Sequence, residues 1–128
     1  MKKLIRCLKA VSDPTRFKIL KLLQFHKSCV CELASALGLA QPTISRHLAI
    51  LEDADLVVSK RNGIWMEYML AENPAGEAGE VLALVLKWWE DGEEIAGLRK
   101  RLDELNRETA CAMTSKAGRA IPKKAALQ

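Results

Sequence analysis

Apolar residues recur every three or four positions through most of this sequence, the spacing that places them on one face of an α-helix. Helix boundaries stand out: Ser12-Asp13 suits a helix start before Pro14, Gly38 suits a left-handed helix end, and Pro42 suits a first turn. The pattern predicts five helices. Their apolar residues are Leu4, Leu8 and Val11; Phe17, Leu20 and Leu23; Leu33 and Leu37 of a helix from about Cys31 to Leu37; Ile44, Leu48 and Leu51 of a helix reaching Asp53; and Val81, Leu84, Val85, Trp88, Ile95, Leu98, Leu102 and Leu105 of one long helix from about Glu80 to Arg107.

Between the fourth and the long helix the period changes to about two, which is typical of strands. Leu56–Lys60 and Ile64–Leu70 are rich in β-branched and aromatic residues and flank Arg61-Asn62-Gly63. Asn-Gly between two such segments is a strong hairpin turn. The predicted fold is therefore mainly α with a β-hairpin wing, a winged helix-turn-helix of the α+β class.

The third and fourth predicted helices, joined by a short turn after Gly38, are typical of a helix-turn-helix. The start of the fourth helix presents short hydrogen-bonding side chains and one cation, which suit base edges and phosphates in the major groove. Plain αα-corners share this pattern, but the basic wing that follows favours double-stranded DNA as the partner. The predicted DNA contacts are Gln41, Pro42, Thr43, Ser45, Arg46 and His47 of the helix and Lys60 and Arg61 of the wing; for His47 a surface or capping role fits equally well.

Composition fits one domain, residues 1–110, followed by a mobile tail of small and basic residues, 111–128. The chain has 128 residues, 49% of them apolar, and no apolar run of the roughly 18 residues that a membrane span requires. No secretory leader is evident, so we expect a cytoplasmic protein whose four cysteines are thiols. The net charge is only +4, but residues 1–27 hold eight basic side chains against one acidic, which suits a polyanion.

The long helix carries more apolar surface than one small core can cover. Trp88, Leu98, Leu102 and Leu105 form this surplus. Large exposed apolar surfaces mark interfaces, so the sequence predicts a symmetric homodimer.

These motifs resemble those of the ArsR/SmtB family of bacterial metal-sensing repressors. The resemblance lies in Leu8–Arg16, Cys29–Leu33, Gln41–Leu51 and Gly63–Tyr68, in the family's order, and covers about residues 4–105. It implies a homodimer formed through the first and last helices, which binds operator DNA and is released by an inducer. Cys29-Val30-Cys31-Glu32-Leu33 looks like the arsenic-sensing branch, which implies that these thiolates bind As(III) or Sb(III).

The residues themselves also favour a soft ligand at Cys29 and Cys31. Thiolates select soft ions, and a helix N-terminus is expected to lower the thiol pKa. Residues two apart do not face each other on a regular helix, so both sulfurs reach one atom only if the first turn is extended or distorts. The arsenic branch often has a third thiol where this chain has Ala34; we expect Cys111 as the third ligand, with Cys7 or a ligand from solution as alternatives.

Other functions stay open at this point. The family's cadmium and lead sensors pair a similar Cys-x-Cys with N-terminal cysteines, which Cys7 would match. Oxidation of Cys29 with Cys31 would make a redox switch on the same fold, although a disulfide between them would be strained. The alternative without a ligand or redox role is that Cys29 and Cys31 serve only as small, buried apolar side chains. An enzyme built on Cys29 and His26 lacks a third, orienting group and is excluded, so no catalytic cofactor is expected.

Overall fold

A computed structural model of the chain describes residues 1–72, 74–87 and 92–110. These residues form a mainly helical domain with one small antiparallel sheet. The elements are α1 (Lys2–Val11), α2 (Pro14–Leu23), β1 (Ser28–Cys29), α3 (Val30–Leu37), α4 (Gln41–Asp53), β2 (Val57–Asn62), β3 (Trp65–Leu70), α5 (Gly76–Lys87) and α6 (Glu93–Glu104). The predicted winged helix-turn-helix is confirmed.

The helix boundaries around the helix-turn-helix follow from their residues. The Asp13 carboxylate accepts a hydrogen bond from the Arg16 backbone N–H at 3.1 Å, so it caps α2 while Pro14 occupies the first turn. Gly38 ends α3 with φ +71°, a left-handed conformation that glycine adopts at little cost. Pro42 lies in the first turn of α4, as predicted.

The wing has a tighter turn than expected. Asn62 pairs with Trp65, so the loop consists of Gly63 and Ile64 alone. Gly63 has φ +66°, as the first central position of a type II′ turn requires. The prediction of a turn at Arg61-Asn62-Gly63 is therefore wrong: Arg61 and Asn62 belong to β2.

A short strand, β1, lies at the start of the helix-turn-helix. Ser28 and Cys29 pair with Tyr68 and Glu67 of β3, which gives the strand order β1-β3-β2. A strand of two residues shows no alternation, so the sequence pattern does not predict it. This pairing joins the cysteine motif directly to the wing.

The single long helix predicted from about Glu80 to Arg107 is wrong. It is replaced by α5 and α6, and Gly92 is the extended N-cap of α6, with φ −67° and ψ 137°. A further helical turn, residues 107–110, follows a break at Asn106, whose Oδ1 accepts hydrogen bonds from the backbone N–H groups of Glu108 and Thr109. Apolar periodicity continued across both breaks and hid them. Trp88 and the predicted tail, 111–128, lie outside the described residues.

The main core gathers the inner faces of all six helices, whereas a second, smaller cluster contains Cys29, Cys31 and Ala110 beside Trp65 and Leu105. Leu102 is 1% exposed and lies in the main core, so its assignment to an exposed dimer surface is wrong. Leu98 and Leu105 are half-buried. Among the described residues, no helix is long and apolar enough to cross a bilayer.

Candidate DNA-binding surface and thiol site

Helix α4 buries one stripe and exposes the opposite side. Ile44, Leu48 and Leu51 are fully buried, whereas Ser45 and Arg46 are exposed. Thr43 is half-buried at the start of the helix. The exposed side therefore carries two of the predicted hydrogen-bonding and cationic contacts, as a recognition helix requires.

His47 is held by Arg16, an arginine of α2 that no sequence motif marks as functional. Nη1 of Arg16 lies 3.1 Å from His47 Nδ1, and Nε of Arg16 donates to the Ala10 carbonyl at 2.7 Å. Because guanidinium groups only donate, Nδ1 of His47 is the acceptor. Burial lowers the pKa of His47 below its usual 6.5, so the ring is neutral at pH 7. His47 thus supports the packing of α4 on α1 and α2.

Gln41, the first residue of α4, is directed toward the preceding helix. Its Nε2 donates to Sγ of Cys31 at 3.4 Å, and its side chain is half-buried. The predicted base-reading residue therefore contacts the predicted ligand-binding residue.

Lys60 and Arg61 are exposed on β2, opposite Glu67 and Met66 of β3. Asn62 Nδ2 donates to Glu67 Oε2 at 3.2 Å. The two cations lie along the flank of the wing near its turn, where they can meet a DNA backbone.

Cys29 is the N-cap of α3. Its backbone is extended, with φ −90° and ψ 170°, and it forms a capping box with Glu32. The Glu32 N–H approaches the Cys29 side chain, and Oε1 of Glu32 accepts a hydrogen bond from the Cys29 N–H at 3.0 Å. Two sulfurs at positions 29 and 31 can reach one atom only if the chain between them is not regular helix, and the extended backbone of Cys29 meets this requirement. Both Cys29 and Cys31 are buried in the smaller cluster.

The expected low thiol pKa at this helix start is wrong for Cys29. The pKa of the Cys29 thiol is raised to about 11, mainly by burial, and the Glu32 carboxylate contributes to the rise. The Glu32 backbone N–H and Arg107 act in the opposite direction but do not compensate. Desolvation of a thiolate therefore exceeds the helix-end effect at this position.

Arg107 ties the thiol site to the wing, a contact that no sequence motif indicated. Its guanidinium donates to Glu32 Oε1 at 3.1 and 3.2 Å and lies 3.1 Å from Glu67 Oε2. It also lies 5.7 Å from the centre of the Trp65 ring. At the other end of α3, Arg101 donates to the Ala36 carbonyl at 2.7 Å. Residues after α5 therefore hold both ends of α3.

The cysteines differ in chemical state. Cys7 and Cys29 are free thiols, whereas Cys31 is disulfide-bonded. The expectation that all four are thiols is therefore wrong for Cys31, and Cys29 does not form the disulfide considered for a redox switch. Cys111 lies outside the described residues, but Ala110 before it packs with Cys29 and Cys31.

Cys7 lies away from this cluster. It is fully buried in the main core, and its Sγ is 3.5 Å from the Ala54 carbonyl. Core packing is the alternative that the structure favours for Cys7 over ligand binding within one chain. In the part of the chain that the structure describes, no group of three His, Cys, Asp or Glu side chains is arranged to hold a metal ion.

Residues 13–59 match the bacterial regulatory protein family arsR. The chain is 37% identical over 79 residues to the arsenical resistance operon repressor of Escherichia coli K12, covering 61% of this chain and 68% of that repressor.

Two solved structures share the fold. Reduced HlyU from Vibrio cholerae aligns with a TM-score of 0.58 at 30% identity, covering 69% of this chain and 90% of HlyU. The transcriptional repressor BigR from Xylella fastidiosa aligns with a TM-score of 0.60 at 26% identity, covering 72% of this chain and 88% of BigR.

Proposed function

Since this chain belongs to the arsR family of bacterial regulatory proteins, it is a DNA-binding transcriptional repressor and not an enzyme, and we propose that As(III) or Sb(III) releases it from its operator by binding Cys29, Cys31 and Cys111. One observation carries this proposal: Cys29 and Cys31 are buried together at the first turn of the helix that supports the recognition helix. Ala110 in the same cluster favours Cys111 as the third ligand. The repressor acts where chromosomal DNA lies, in the cytoplasm.

The thiol set fits a trivalent soft ligand better than a divalent hard one. Each neutral thiol that binds arsenite gives its proton to a hydroxide ligand, which leaves as water. The raised pKa of Cys29 therefore does not oppose binding, since no free thiolate is required. Cys31 has to be in its reduced form for this reaction.

Release is proposed to begin with the loss of a helix cap. Cys29 Sγ faces the Glu32 N–H of α3, and a sulfur bound to As(III) is a poorer acceptor for that N–H. The Cys29 side chain makes no full cap hydrogen bond, so losing this contact costs less than the about 1 kcal/mol of a full N-cap, and the cost falls on the first turn of the helix. Leu33 of α3 packs in the same core as Ile44 and Leu48 of α4, so a shift of α3 moves the recognition helix.

DNA contacts are proposed for the exposed side of α4 and for the wing. Pro42, Thr43, Ser45 and Arg46 approach bases and phosphates, and Lys60 and Arg61 contact phosphates. His47, neutral and held by Arg16, is left with a supporting role. Gln41 is left out of this set because its amide contacts Cys31.

The repressor is proposed to bind as a homodimer through α1 and α5. These helices pack against each other, and both carry exposed apolar side chains: Ile5 and Leu8 on α1 and Leu84 on α5. Leu84→Asp should yield a monomer in light scattering at micromolar concentration, and Ile64→Asp on the wing is the matched control. A wild-type monomer at that concentration would contradict the dimer.

The proposal is tested by titrating reduced protein on operator DNA with As(III), Sb(III), Cd(II), Zn(II) and peroxide. We expect As(III) or Sb(III) to weaken binding about 100-fold, a coupling free energy of about 2.7 kcal/mol. Cys29→Ser and Cys31→Ser should bind operator yet stay bound with As(III), whereas Cys7→Ala should respond like wild type. Release of the Cys29→Ser/Cys31→Ser protein at the wild-type As(III) concentration would refute this site.

Arg46→Ala tests the DNA surface separately. Its loss should weaken operator binding by about 1–3 kcal/mol if Arg46 contacts a base, or lower the salt slope by about one if it contacts phosphate. Lys60→Gln should lower affinity similarly on operator and on unrelated DNA. Normal binding by folded Arg46→Ala would show that α4 is not the recognition helix.

A second candidate is a thiol–disulfide switch that uses Cys31, with Cys111 as its proposed partner. The disulfide-bonded state of Cys31 favours it, and one of the similar structures is that of HlyU in its reduced form. In this case peroxide would accept the two electrons, forming two water molecules and the disulfide. Release by peroxide without As(III), abolished in Cys31→Ser but kept in Cys29→Ser, would select this candidate.

A further inference from the structure

Gln41 forms a side-chain link between the starts of the two helices of the helix-turn-helix. It is the first residue of α4, and its Nε2 lies 3.4 Å from Sγ of Cys31, in the first turn of α3. The two residues are ten positions apart, so the contact crosses the whole supporting helix and its turn. A change at the sulfur can therefore reach the recognition helix through this hydrogen bond.

A single contact at the start of α4 can have a large effect on the position of its first turn. Its N-cap is Ala40, which makes no side-chain cap, in contrast to Asp13 at the start of α2. Without a cap, the first turn of a helix is held less firmly. Thr43, Ser45 and Arg46 lie within or directly after this turn, so its position sets where they meet DNA.

The apolar contacts between α3 and α4 provide a different connection. Leu33, Ile44 and Leu48 are fully buried, and packed interiors move as units. These apolar contacts respond to a shift of α3 as a whole, but they do not respond to the chemical state of a sulfur atom. The Gln41 amide, by contrast, contacts the Cys31 sulfur directly and lies in the first turn of α4.

We propose that Gln41 is a positioning residue that transmits the chemical state of Cys31 to the recognition helix. This inference rests on the proposed function in one respect, namely that the signal arises at Cys31. An N–H···S hydrogen bond strengthens as the sulfur gains negative charge and weakens when the sulfur's lone pairs are used in another bond. The 3.4 Å contact is formed while Cys31 is disulfide-bonded, so reduction of that sulfur, or ligand binding to the reduced thiol, changes how firmly the first turn of α4 is held.

The first test measures the ratio of operator affinities without and with As(III), and likewise with peroxide. Wild type should show a ratio of about 100. Gln41→Leu, which keeps a side chain of similar bulk but lacks the amide, should bring the ratio below about 10. Gln41→Glu, which replaces the donor by an acceptor, should do the same. Thr43→Val is the matched control at the same helix start: its affinity should fall in both states while the ratio stays at about 100.

The second test uses reduced protein without inducer. Gln41→Leu, Cys31→Ala and the double variant are compared for operator affinity, with circular dichroism to verify folding. If the contact positions α4, the double variant should lose less affinity than the product of the single losses, by about threefold or more. Gln41 acting as a base reader would instead give independent losses and an altered preference at one operator base pair.

An unchanged inducer ratio in Gln41→Leu, or independent losses in the second test, would overturn the inference. If wild type leaves the operator with neither As(III) nor peroxide, the proposed function fails instead. The second test still decides the role of the Gln41 contact in that case, because it requires no inducer.

Discussion

The two helices of the helix-turn-helix are neighbours with opposite environments. Helix α3 is buried along most of its length; its buried residues are Cys31, Glu32, Leu33, Ala34 and Ala36. Helix α4 buries only Ile44, Leu48 and Leu51 of its thirteen residues. Arginines hold α3 at both ends, whereas the N-cap of α4 makes no side-chain bond.

This difference separates sensing from binding. A thiol site gains selectivity from burial, which excludes water and competing ligands, whereas a recognition helix has to expose its polar side to DNA. The position of α4 therefore depends on a narrow stripe of contacts with the rest of the domain. A small rearrangement at the firmly held helix can move the loosely held one.

The largest expected effect tests whether that stripe holds α4. Leu48→Ala should lower the free energy of unfolding by about 3 kcal/mol, because Leu48 is fully buried and the cavity left behind adds to the lost burial. Ile50→Ala on the exposed side of the same helix should change it by less than about 0.5 kcal/mol. Urea unfolding of both variants measures the difference. Equal losses of unfolding free energy in the two variants would show that the buried and the exposed side of α4 do not differ in how they hold the helix.

The next effect compares Cys29 with an unfolded cysteine. With its pKa raised from 9.0 to about 11, Cys29 in the reduced, folded protein should carry about a hundredfold less thiolate at pH 8 than in the unfolded chain. Its alkylation by iodoacetamide, followed by peptide mass spectrometry, should slow by about that factor.

The raised pKa of Cys29 also determines how the free energy of unfolding depends on pH. Burial of the neutral thiol stabilises the fold fully below pH 9, where both states are protonated, and this contribution is lost as the pH rises toward 11. The control is Cys29→Ser, which lacks a titrating thiol. Alkylation of Cys29 at the unfolded rate would show that the first turn of α3 is open, which contradicts its buried state.

The outline of the fold could be predicted because it rests on local signals. Apolar periodicity, Asp13-Pro14, Gly38 and Asn62-Gly63 define helices and a hairpin without reference to distant residues. The break at Gly92 was hidden because apolar residues continue in register on both sides. Strand β1 has two residues and exists only through its pairing with β3.

The site could be predicted only in its residue types. Cys29-Val30-Cys31 marked the thiols, but the raised pKa of Cys29 arises from tertiary burial, which local sequence does not encode. Arg107 lies 75 positions from Glu32, and the contact of Gln41 with Cys31 depends on how two helices are packed. Such contacts become visible only once the chain is folded.

A smaller effect tests the anchoring of α3. Arg107→Ala should lower the free energy of unfolding by about 2 kcal/mol, since it leaves the buried Glu32 carboxylate without its cationic partner. The Cys29 N–H remains bonded to Glu32, which limits the loss. Lys100→Ala removes the same charge from an exposed position of α6 and should cost less than about 0.5 kcal/mol. If the two variants unfold alike, α3 is not held by this pair.

The smallest effect concerns an ion pair of the same chemistry on α4. Arg6 Nε lies 3.6 Å from Asp53 Oδ2, but the two side chains are 56% and 72% exposed. Water and salt screen such a pair, so Asp53→Asn should change the free energy of unfolding by less than about 0.5 kcal/mol. Asp53 also ends α4, where a negative charge opposes the helix dipole by a few tenths of a kcal/mol, roughly. Losing the pair and losing this repulsion therefore oppose each other. Urea unfolding at low and high salt should give the same small difference for Asp53→Asn, while Arg107→Ala keeps its larger loss in both. A loss above about 1 kcal/mol for Asp53→Asn would mean that surface pairs anchor α4 as firmly as buried ones anchor α3.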